Sequence, residues 1–330
     1  MGYYAQAVQG HFALLAAAKP IPLWLDDPAA PDDLKRRLQR AQQMRAFASR
    51  ELGLPDNRSY TAYADLKRPA AVWNVFAAPE LSLQLKNWCY PLFGCAGYRG
   101  YFHLSGAQEL ADELRAEGYE VNVAPVPAYS TLGWFDDPLL NTFINQGEGE
   151  LARLIFHELA HQVVYVKDDT VFNESFATTV ERVGVNRWLA AESDPATREA
   201  YALQQQRRAD FLNLLREHRD LLLVNYERNA DENDKRARKR AIFADLQAAY
   251  ALLKRDRWGG WGGYDRYFAQ SPNNAHLAAI GAYNDLVPGF EALLRAEGDD
   301  LPRFYLRVKK LAEEDQEART RTLQEALAVH

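Results

Sequence analysis

The feature that most constrains the fold is an apolar segment that contains two histidines four residues apart. The segment reads LARLIFHELAHQVV, and its centre is His157-Glu158-Leu159-Ala160-His161. No proline or glycine interrupts it, and its apolar residues recur at helical spacing, so we predict a helix here. Residues four apart lie on one face of a helix, which lets both imidazoles reach one metal ion. Because two histidines and a glutamate are costly to bury without partners, the pattern indicates a metal site.

The chemistry expected of this pattern is hydrolysis by an activated water. Glu158 follows His157 by about 100° around the helix, which places it beside the metal without making it a ligand. Its carboxylate can take a proton from a water whose pKa Zn²⁺ lowers to about 7. We therefore predict Zn²⁺ as the cofactor, His157 and His161 as metal ligands, and Glu158 as the general base.

A catalytic zinc usually takes three protein ligands and keeps one position open. A third histidine in the pattern HExxHxxGxxH is excluded, because Val164 and Lys167 occupy the glycine and histidine positions. We predict Glu174, in the segment NESFA on the next helix, as the third ligand. A glutamate near a helix start is also favoured without any metal. The alternative ligands are Glu181, Asp168 and Asp169.

A hydrolytic site also needs a donor for the oxyanion that forms on the substrate. We predict Tyr283 and His276 for this role, since they are seven residues apart and share a face if the segment is helical. Tyr129 is a further candidate. The structural alternative is that these residues pack in the core or support it. Asp136 and Asp137 either bind a substrate amine or cap the turn before Pro138.

Composition excludes some partners. The chain has 330 residues, a net charge of -6 and a pI near 5.7, so we expect no nucleic-acid partner. The basic run at 235–240 lies among helix-forming segments and is interpreted as a solvated helix face. No stretch approaches the roughly 20 apolar residues that a membrane-spanning helix needs.

The only two cysteines, Cys89 and Cys95, stand in the segment WCYPLFGC. The proline and glycine between them favour a turn that could close a small disulfide, and reduced core cysteines are the alternative. Zinc is an unfavourable use for them, because a structural site would need further Cys or His nearby. A disulfide would indicate an oxidising compartment.

The order of predicted elements indicates an α+β fold that is predominantly helical. Strands are predicted at 71–77, 81–85 and 119–123, with a helix at 107–117 among them. Helices are predicted at 5–18, 31–52, 150–166, 173–191, 197–219, 232–254 and within 273–328. The glycines and tryptophans of RWGGWGGY, at 257–264, predict a loop. We expect an N-terminal part over 1–147 and a mainly helical part over 148–330, or one compact catalytic domain.

The HELAH segment followed by NESFA resembles the gluzincin metallopeptidases, whose third zinc ligand is a glutamate on a second helix. The resemblance implies a zincin-like fold, with a small sheet packed beside the HExxH helix. Only twelve residues separate His161 from Glu174, fewer than those enzymes usually have, so the connection must be tight. Thr178 stands where some of them carry an aspartate that orients a histidine, and a threonine hydroxyl would serve that role more weakly.

Nearly the whole chain resembles a bacterial family described as putative aminopeptidases. The resemblance rests on the HELAH helix and on the segments GYYAQAVQGH, VWNVFAAP, WCYPLFGCAGYRGYF, PAYSTLGWFDDP and NNAHLAAIGAYNDLVP. It implies a peptide substrate and a lipoprotein signal that precedes the GYY segment. The expected location is then the bacterial cell envelope, with a lipid anchor as the contact with the membrane.

The functional expectation from these observations is a zinc-dependent peptidase, in particular an aminopeptidase. The label of aminopeptidase comes from the resemblance, since no residue in the sequence identifies how a free amine would be bound. An endopeptidase is one alternative. A zinc-containing envelope binding or assembly protein without peptidase activity is the other.

Overall fold

The computed structural model describes residues 2–90, 94–131, 133–280 and 286–328. Most of these residues are helical, and short strands form small sheets among them, which confirms a predominantly helical α+β fold. Among the residues described, no helix combines the length and the apolar character needed to cross a bilayer.

The helices of the described chain are numbered from the N-terminus to the C-terminus. They are α1 (Tyr3–Ala17), α2 (Ile21–Leu25), α3 (Asp32–Leu52), α4 (Leu104–Ala116), α5 (Glu148–His161), α6 (Thr170–Glu192), α7 (Pro195–Glu227), α8 (Glu232–Leu252), α9 (Asp265–Ala269), α10 (Asn274–Ala278), α11 (Val287–Ala296), α12 (Leu301–Ala312) and α13 (Gln316–Ala328). The strands are β1 (Lys19–Pro20), β2 (Ala62–Ala64), β3 (Val72–Pro79), β4 (Trp88–Tyr90), β5 (Gly94–Ala96), β6 (Arg99–Tyr101), β7 (Tyr119–Val126) and β8 (Leu139–Leu140).

The chain forms two compact units, each assembled from separate stretches. The first contains Met1–Ala71, Val126–Tyr201 and Tyr283–His330, and the second contains Val72–Pro125 and Ala202–Ala282. Such discontinuous units join stretches that are far apart in sequence, which a pattern read along the chain does not reveal. The boundary after residue 147 stays a sequence interpretation.

The first unit is mainly helical and contains one small sheet. In that sheet β1 runs antiparallel to β2, and β2 runs parallel to β8. The predicted helix at 31–52 is confirmed as α3, which has Asp32 and Asp33 in its first turn. It ends at Gly53, whose φ of 65° is the left-handed conformation that glycine adopts readily. Helix α3 packs against both α5 and α6.

Helices α5 and α6 pack closely because a glycine lies where they meet. A Cβ atom on Gly184 of α6 would lie 2.9 Å from the Phe156 ring and 2.7 Å from a methyl group of Leu52. Real Cβ atoms do not approach so closely, so any larger residue would push the helices apart. Phe176 anchors the N-terminal half of α6, with its ring 5.9 Å from that of Phe290 and 5.8 Å from that of Phe304.

The predicted helix at 150–166 is too long, because α5 ends at His161. The amide of Asn173 explains the early end, since it donates to the Val166 carbonyl and accepts from the Val166 N–H, both at 2.7 Å. Asp169 then caps α6 by accepting a hydrogen bond from the Phe172 N–H at 3.1 Å. These side-chain bonds take the place of helical ones and give the tight connection that the sequence requires.

The second unit contains a sheet in which β3 lies between β6 and β7. The predicted strand at 81–85 is wrong, because these residues form no ladder. The chain turns after Pro79, and the Lys86 N–H returns to the Ala77 carbonyl at 2.8 Å. Leu83 is only 8% exposed and belongs to an apolar core cluster of this unit. The alternating leucines of this segment therefore indicate burial, and they do not indicate pairing with a neighbouring strand.

The loop predicted for RWGGWGGY is confirmed in this unit. A π-helical turn, Leu253–Arg257, follows α8 and leads into Gly259 and Gly260, both with positive φ. Trp258 is buried in the same core cluster as Leu83. The segment is therefore anchored by a tryptophan.

The proposed disulfide is present between Cys89 and Cys95. The two residues face each other across β4 and β5, which form an antiparallel hairpin. The sequence prediction of a closed bridge is confirmed.

Replacing both cysteines with serine should lower the free energy of unfolding by about 2 kcal/mol, because the unfolded chain regains the entropy of a short open loop. Urea unfolding of the double variant Cys89→Ser/Cys95→Ser measures this loss. A reducing agent should destabilise the wild type by the same amount and leave the variant unchanged. Equal stability of both proteins without reductant would contradict the prediction.

Candidate metal centre

Three side chains from α5 and α6 converge in the first unit. His157 Nε2 lies 3.1 Å from His161 Nε2 and 3.2 Å from one carboxylate oxygen of Glu174. The second oxygen of Glu174 lies 3.6 Å from His161 Nε2. The structure thus brings together the three residues that the sequence predicts as ligands, and the group has the composition to hold a metal ion.

The spacing of these donor atoms fits a tetrahedral zinc. Bonds of about 2.0–2.1 Å from a tetrahedral ion place its ligand atoms about 3.3 Å apart. The two imidazole nitrogens are 3.1 Å apart, and each lies 3.2 or 3.6 Å from one of the two Glu174 oxygens, which is close to that value. Two imidazoles and one carboxylate are also a donor set that catalytic zinc uses. The residues present therefore fit the ion that the sequence predicts.

The start of α6 determines where the Glu174 carboxylate lies. Asn173, the residue before it, is tied to the backbone of Val166 through both atoms of its amide. Phe176, two residues later, is fully buried among aromatic rings. Glu174 is therefore held between two fixed neighbours, and the segment NESFA has a physical role at each of these positions.

The other ring nitrogen of His157 contacts a carboxylate that the sequence suggested only as an alternative ligand. Glu181 Oε2 lies 2.8 Å from His157 Nδ1, on the edge of the ring opposite the nitrogen that faces His161 and Glu174. Glu181 is buried and lies three residues beyond Thr178 on the same helix. Its position seven residues after Glu174, two helical turns on, was the available signal. A glutamate that shares a helix with the apolar residues Val180 and Val185 also needs a partner when it is buried.

The two remaining alternative ligands do not belong to this group. Asp169 accepts hydrogen bonds from the buried Arg319 guanidinium, at 2.7 and 3.1 Å, while it caps α6. Asp168 is exposed and has a φ of 62°, a conformation of the turn between the helices. Both aspartates therefore serve the connection from α5 to α6.

Without a metal ion, the group formed by His157, His161 and Glu174 holds a proton. Burial lowers the pKa of His157, but hydrogen bonds to Glu174 and Glu181 outweigh it and raise the pKa to about 10. Burial and the charge of His157 lower the pKa of His161 to about 4. Burial raises the pKa of Glu174, yet its bond to His157 and the two histidine charges lower it overall. A proton therefore sits among these side chains, and a divalent cation would displace it.

Glu158 lies next to this group without belonging to it. Its pKa is raised, first because the carboxylate is desolvated and further because Glu174 and Asp137 are negatively charged. The charge of His157 and hydrogen bonding to the Ser130 side chain oppose that rise. A carboxylate with a raised pKa beside a metal-ligand group suits a general base.

The loop before α5 is fixed by Asp137. Its carboxylate accepts hydrogen bonds from the Thr131 N–H at 2.8 Å and from the Thr131 hydroxyl at 2.9 Å. Burial raises its pKa to about 6, even though those bonds lower it. Of the two roles considered for this residue, the structure shows the one that supports the turn. Asp136 lies 3.4 Å from the exposed Arg58 side chain.

His276 and Tyr129, two of the predicted oxyanion donors, each have contacts of their own. His276 belongs to the second unit, where its N–H donates to Asn273 Oδ1 and its Nδ1 accepts from the Asn273 N–H. These are the contacts of a helix-capping residue. Tyr283 lies outside the described residues. Tyr129 is partly buried, with its ring centre 5.8 Å from that of His11.

A tyrosine that sequence reasoning missed lies beside the histidines. The ring centre of Tyr165 is 6.4 Å from that of His161, four residues earlier, and the side chain is largely exposed. Burial of part of the ring and the charges of Glu174 and Asp168 raise its pKa. The spacing HxxxY at the end of a predicted helix was the available signal.

The comparisons with known proteins agree with the family resemblance of the sequence. A family model described as "Putative aminopeptidase" matches residues 2–323. The match includes both helices that carry His157, His161 and Glu174. No curated protein and no solved structure matches the chain.

Proposed function

Because the chain belongs to the family described as "Putative aminopeptidase", we propose that it is a zinc-dependent aminopeptidase. Membership in that family supports peptidase activity in general. The metal and the mechanism are our own proposal. They are carried by one observation, the triangle of His157 Nε2, His161 Nε2 and the Glu174 carboxylate with separations of 3.1 to 3.6 Å.

In this proposal His157, His161 and Glu174 hold the ion. A bound Zn²⁺ supplies a Lewis acid that polarises the scissile carbonyl and makes water more acidic. Glu158 takes the proton of the attacking water and passes it to the amine that leaves. The raised pKa of Glu158 supports this double use, because a carboxylate whose pKa lies above its ordinary value accepts a proton more readily.

A hydroxyl or imidazole must also stabilise the negative charge that develops on the substrate oxygen. Tyr283 and His276 stay the predicted donors from the sequence. Tyr165 joins them, because its exposed hydroxyl-bearing ring lies beside His161.

We also propose that the protein works in the bacterial cell envelope, attached through a lipid anchor. The disulfide between Cys89 and Cys95 supports an oxidising compartment. The anchor itself comes from the family resemblance.

The test combines metal analysis with paired peptides. The purified chain is assayed for zinc, and then against each peptide in two forms, with a free and with an acetylated N-terminus. We expect bound zinc, cleavage of the free peptides and at least a 100-fold preference over the acetylated forms, on the order of the cost of leaving a buried amine-binding group unpaired. A chelator should abolish cleavage, and added Zn²⁺ should restore it.

The other outcomes separate the alternatives. Equal cleavage of both peptide forms would indicate an endopeptidase. Bound zinc without cleavage of any peptide would indicate a binding or assembly protein that keeps the metal for structure. Cleavage that survives complete removal of metal would overturn the proposal.

A further inference from the structure

A buried carboxylate contacts His157 from behind the metal-ligand group. Glu181, only 4% exposed, accepts from His157 Nδ1 at 2.8 Å and from Arg153 Nη1 at 3.1 Å, and both bonds reach the same oxygen, Oε2. Arg153 Nε also donates to Glu150 at 2.9 Å. These hydrogen bonds form a row that joins α5, through Glu150, Arg153 and His157, to Glu181 of α6.

Arg153 holds the Glu181 carboxylate in place. Burial lowers the pKa of Arg153, but the negative charges of Glu181 and Glu150 outweigh it and raise the pKa above its ordinary value. The guanidinium therefore stays charged and holds the Glu181 carboxylate at the Nδ1 edge of the ring. From that edge Glu181 cannot join the donors around Nε2, because the two ring nitrogens point in different directions.

We propose that Glu181 is the residue that positions His157 for metal binding. By accepting the Nδ1–H, it fixes the ring orientation and leaves the Nε2 lone pair directed at His161 and Glu174. This role is the one that the gluzincin resemblance would place at Thr178, one turn earlier on the helix. The inference rests on the proposed zinc site and names a residue that determines its affinity.

The second histidine shows why this contact matters. His161 Nδ1 is buried, and no hydrogen-bond partner for it exists in the described part of the chain. The Nδ1 edge of the His161 ring is therefore held by packing alone, whereas the Nδ1 edge of His157 is held by a hydrogen bond to a carboxylate. The affinity of the site for zinc should consequently be sensitive to the carboxylate behind His157.

The experiment compares three variants of the full chain. Glu181→Ala removes the acceptor, and we expect the dissociation constant for Zn²⁺ to rise by about 10- to 100-fold. Glu181→Gln keeps an oxygen that accepts from Nδ1–H but removes the charge, so its loss should lie at the lower end, about 10-fold. Thr178→Ala is the matched control on the same helix and should bind Zn²⁺ like the wild type. Competition with a chromophoric chelator measures all three affinities.

A second readout separates positioning from a general loss of structure. The visible absorption spectrum of the Co²⁺-substituted protein reports the coordination geometry, so it should change in Glu181→Ala and stay constant in Thr178→Ala. If Glu181→Ala does not fold, because it leaves Arg153 without its partner, Glu181→Gln provides the same comparison with an isosteric side chain.

The outcomes distinguish this inference from the proposed function. A wild type that binds no zinc would remove the metal centre itself. A wild type that binds zinc, together with Glu181 variants of unchanged affinity and unchanged Co²⁺ spectrum, would overturn the positioning role and leave the proposed peptidase intact.

Discussion

Replacement of Glu158 by glutamine should lower kcat by about 10²- to 10⁴-fold, the range that a positioned general base contributes. The amide has the same shape as the carboxylate but cannot accept a proton at neutral pH. Because Glu158 lies outside the group formed by His157, His161 and Glu174, the variant should keep its zinc. Steady-state kinetics with a free-amine peptide, alongside metal analysis, measure the two quantities on one sample.

The control for this variant is the same substitution elsewhere in the helix pair. Glu192 is exposed at the end of α6, so Glu192→Gln should leave both zinc content and kcat unchanged. The KM of Glu158→Gln should change far less than kcat, since the residue acts on the proton and not on substrate affinity. A Glu158→Gln protein with wild-type kcat would remove Glu158 from the mechanism, whatever its zinc content.

The part of the site that the sequence predicted depends on local spacing. His157 and His161 are four residues apart in an apolar segment, and such a pair shares a helix face in any fold. Glu174 was also accessible, because the segment NESFA begins a helix with a clear packing face. The same argument predicted α3 and its end at Gly53, where the signals are again a few residues apart.

The part that the sequence did not predict depends on tertiary contacts. Helix α5 ends at His161 because the Asn173 amide, twelve residues later, binds the backbone of Val166. Glu181 was considered as a ligand, since the sequence does not show which edge of the His157 ring it meets. The strand predicted at 81–85 failed for a related reason, because the same alternation can bury Leu83 without a neighbouring strand. In each case the deciding partner is distant in sequence.

Replacement of Glu174 by alanine should remove zinc and activity together. Only His157 and His161 would remain as ligands, and two imidazoles without the carboxylate lose both a bond and the negative charge that offsets the ion. We expect kcat/KM to fall by at least about 10³-fold, toward the uncatalysed background, because the chemistry that the metal supplies is lost. Zinc content after dialysis and peptide cleavage are the measurements, and Thr178→Ala, one turn further on α6, is the matched control.

The same variant has a thermodynamic signature that does not depend on substrate. Zinc at about 1,000 times its dissociation constant should stabilise the folded wild type by about 4 kcal/mol, through preferential binding to the native state. Glu174→Ala should show little of this stabilisation, so added zinc should raise the Tm of the wild type and not that of the variant. If zinc stabilises both proteins equally, the ion binds elsewhere and Glu174 is not its ligand.

In the metal-free protein, the pH dependence of stability tests whether Glu174 and His157 interact as an ion pair or only pack together. The pKa of His157 is raised to about 10 in the folded protein, from an ordinary value of 6.5. The folded state therefore binds more protons between these values, so this contribution is complete below pH 6.5 and is lost as pH rises toward 10. Removing the Glu174 carboxylate lowers the pKa of His157 in the folded state, so the metal-free variant should lose less stability than the metal-free wild type over this pH range.

Thermal unfolding of both proteins in chelator at pH 6, 8 and about 10 tests the difference. Parallel profiles of stability against pH would show that the Glu174 carboxylate does not interact with His157. One of the three contacts on which the zinc proposal rests would then be absent.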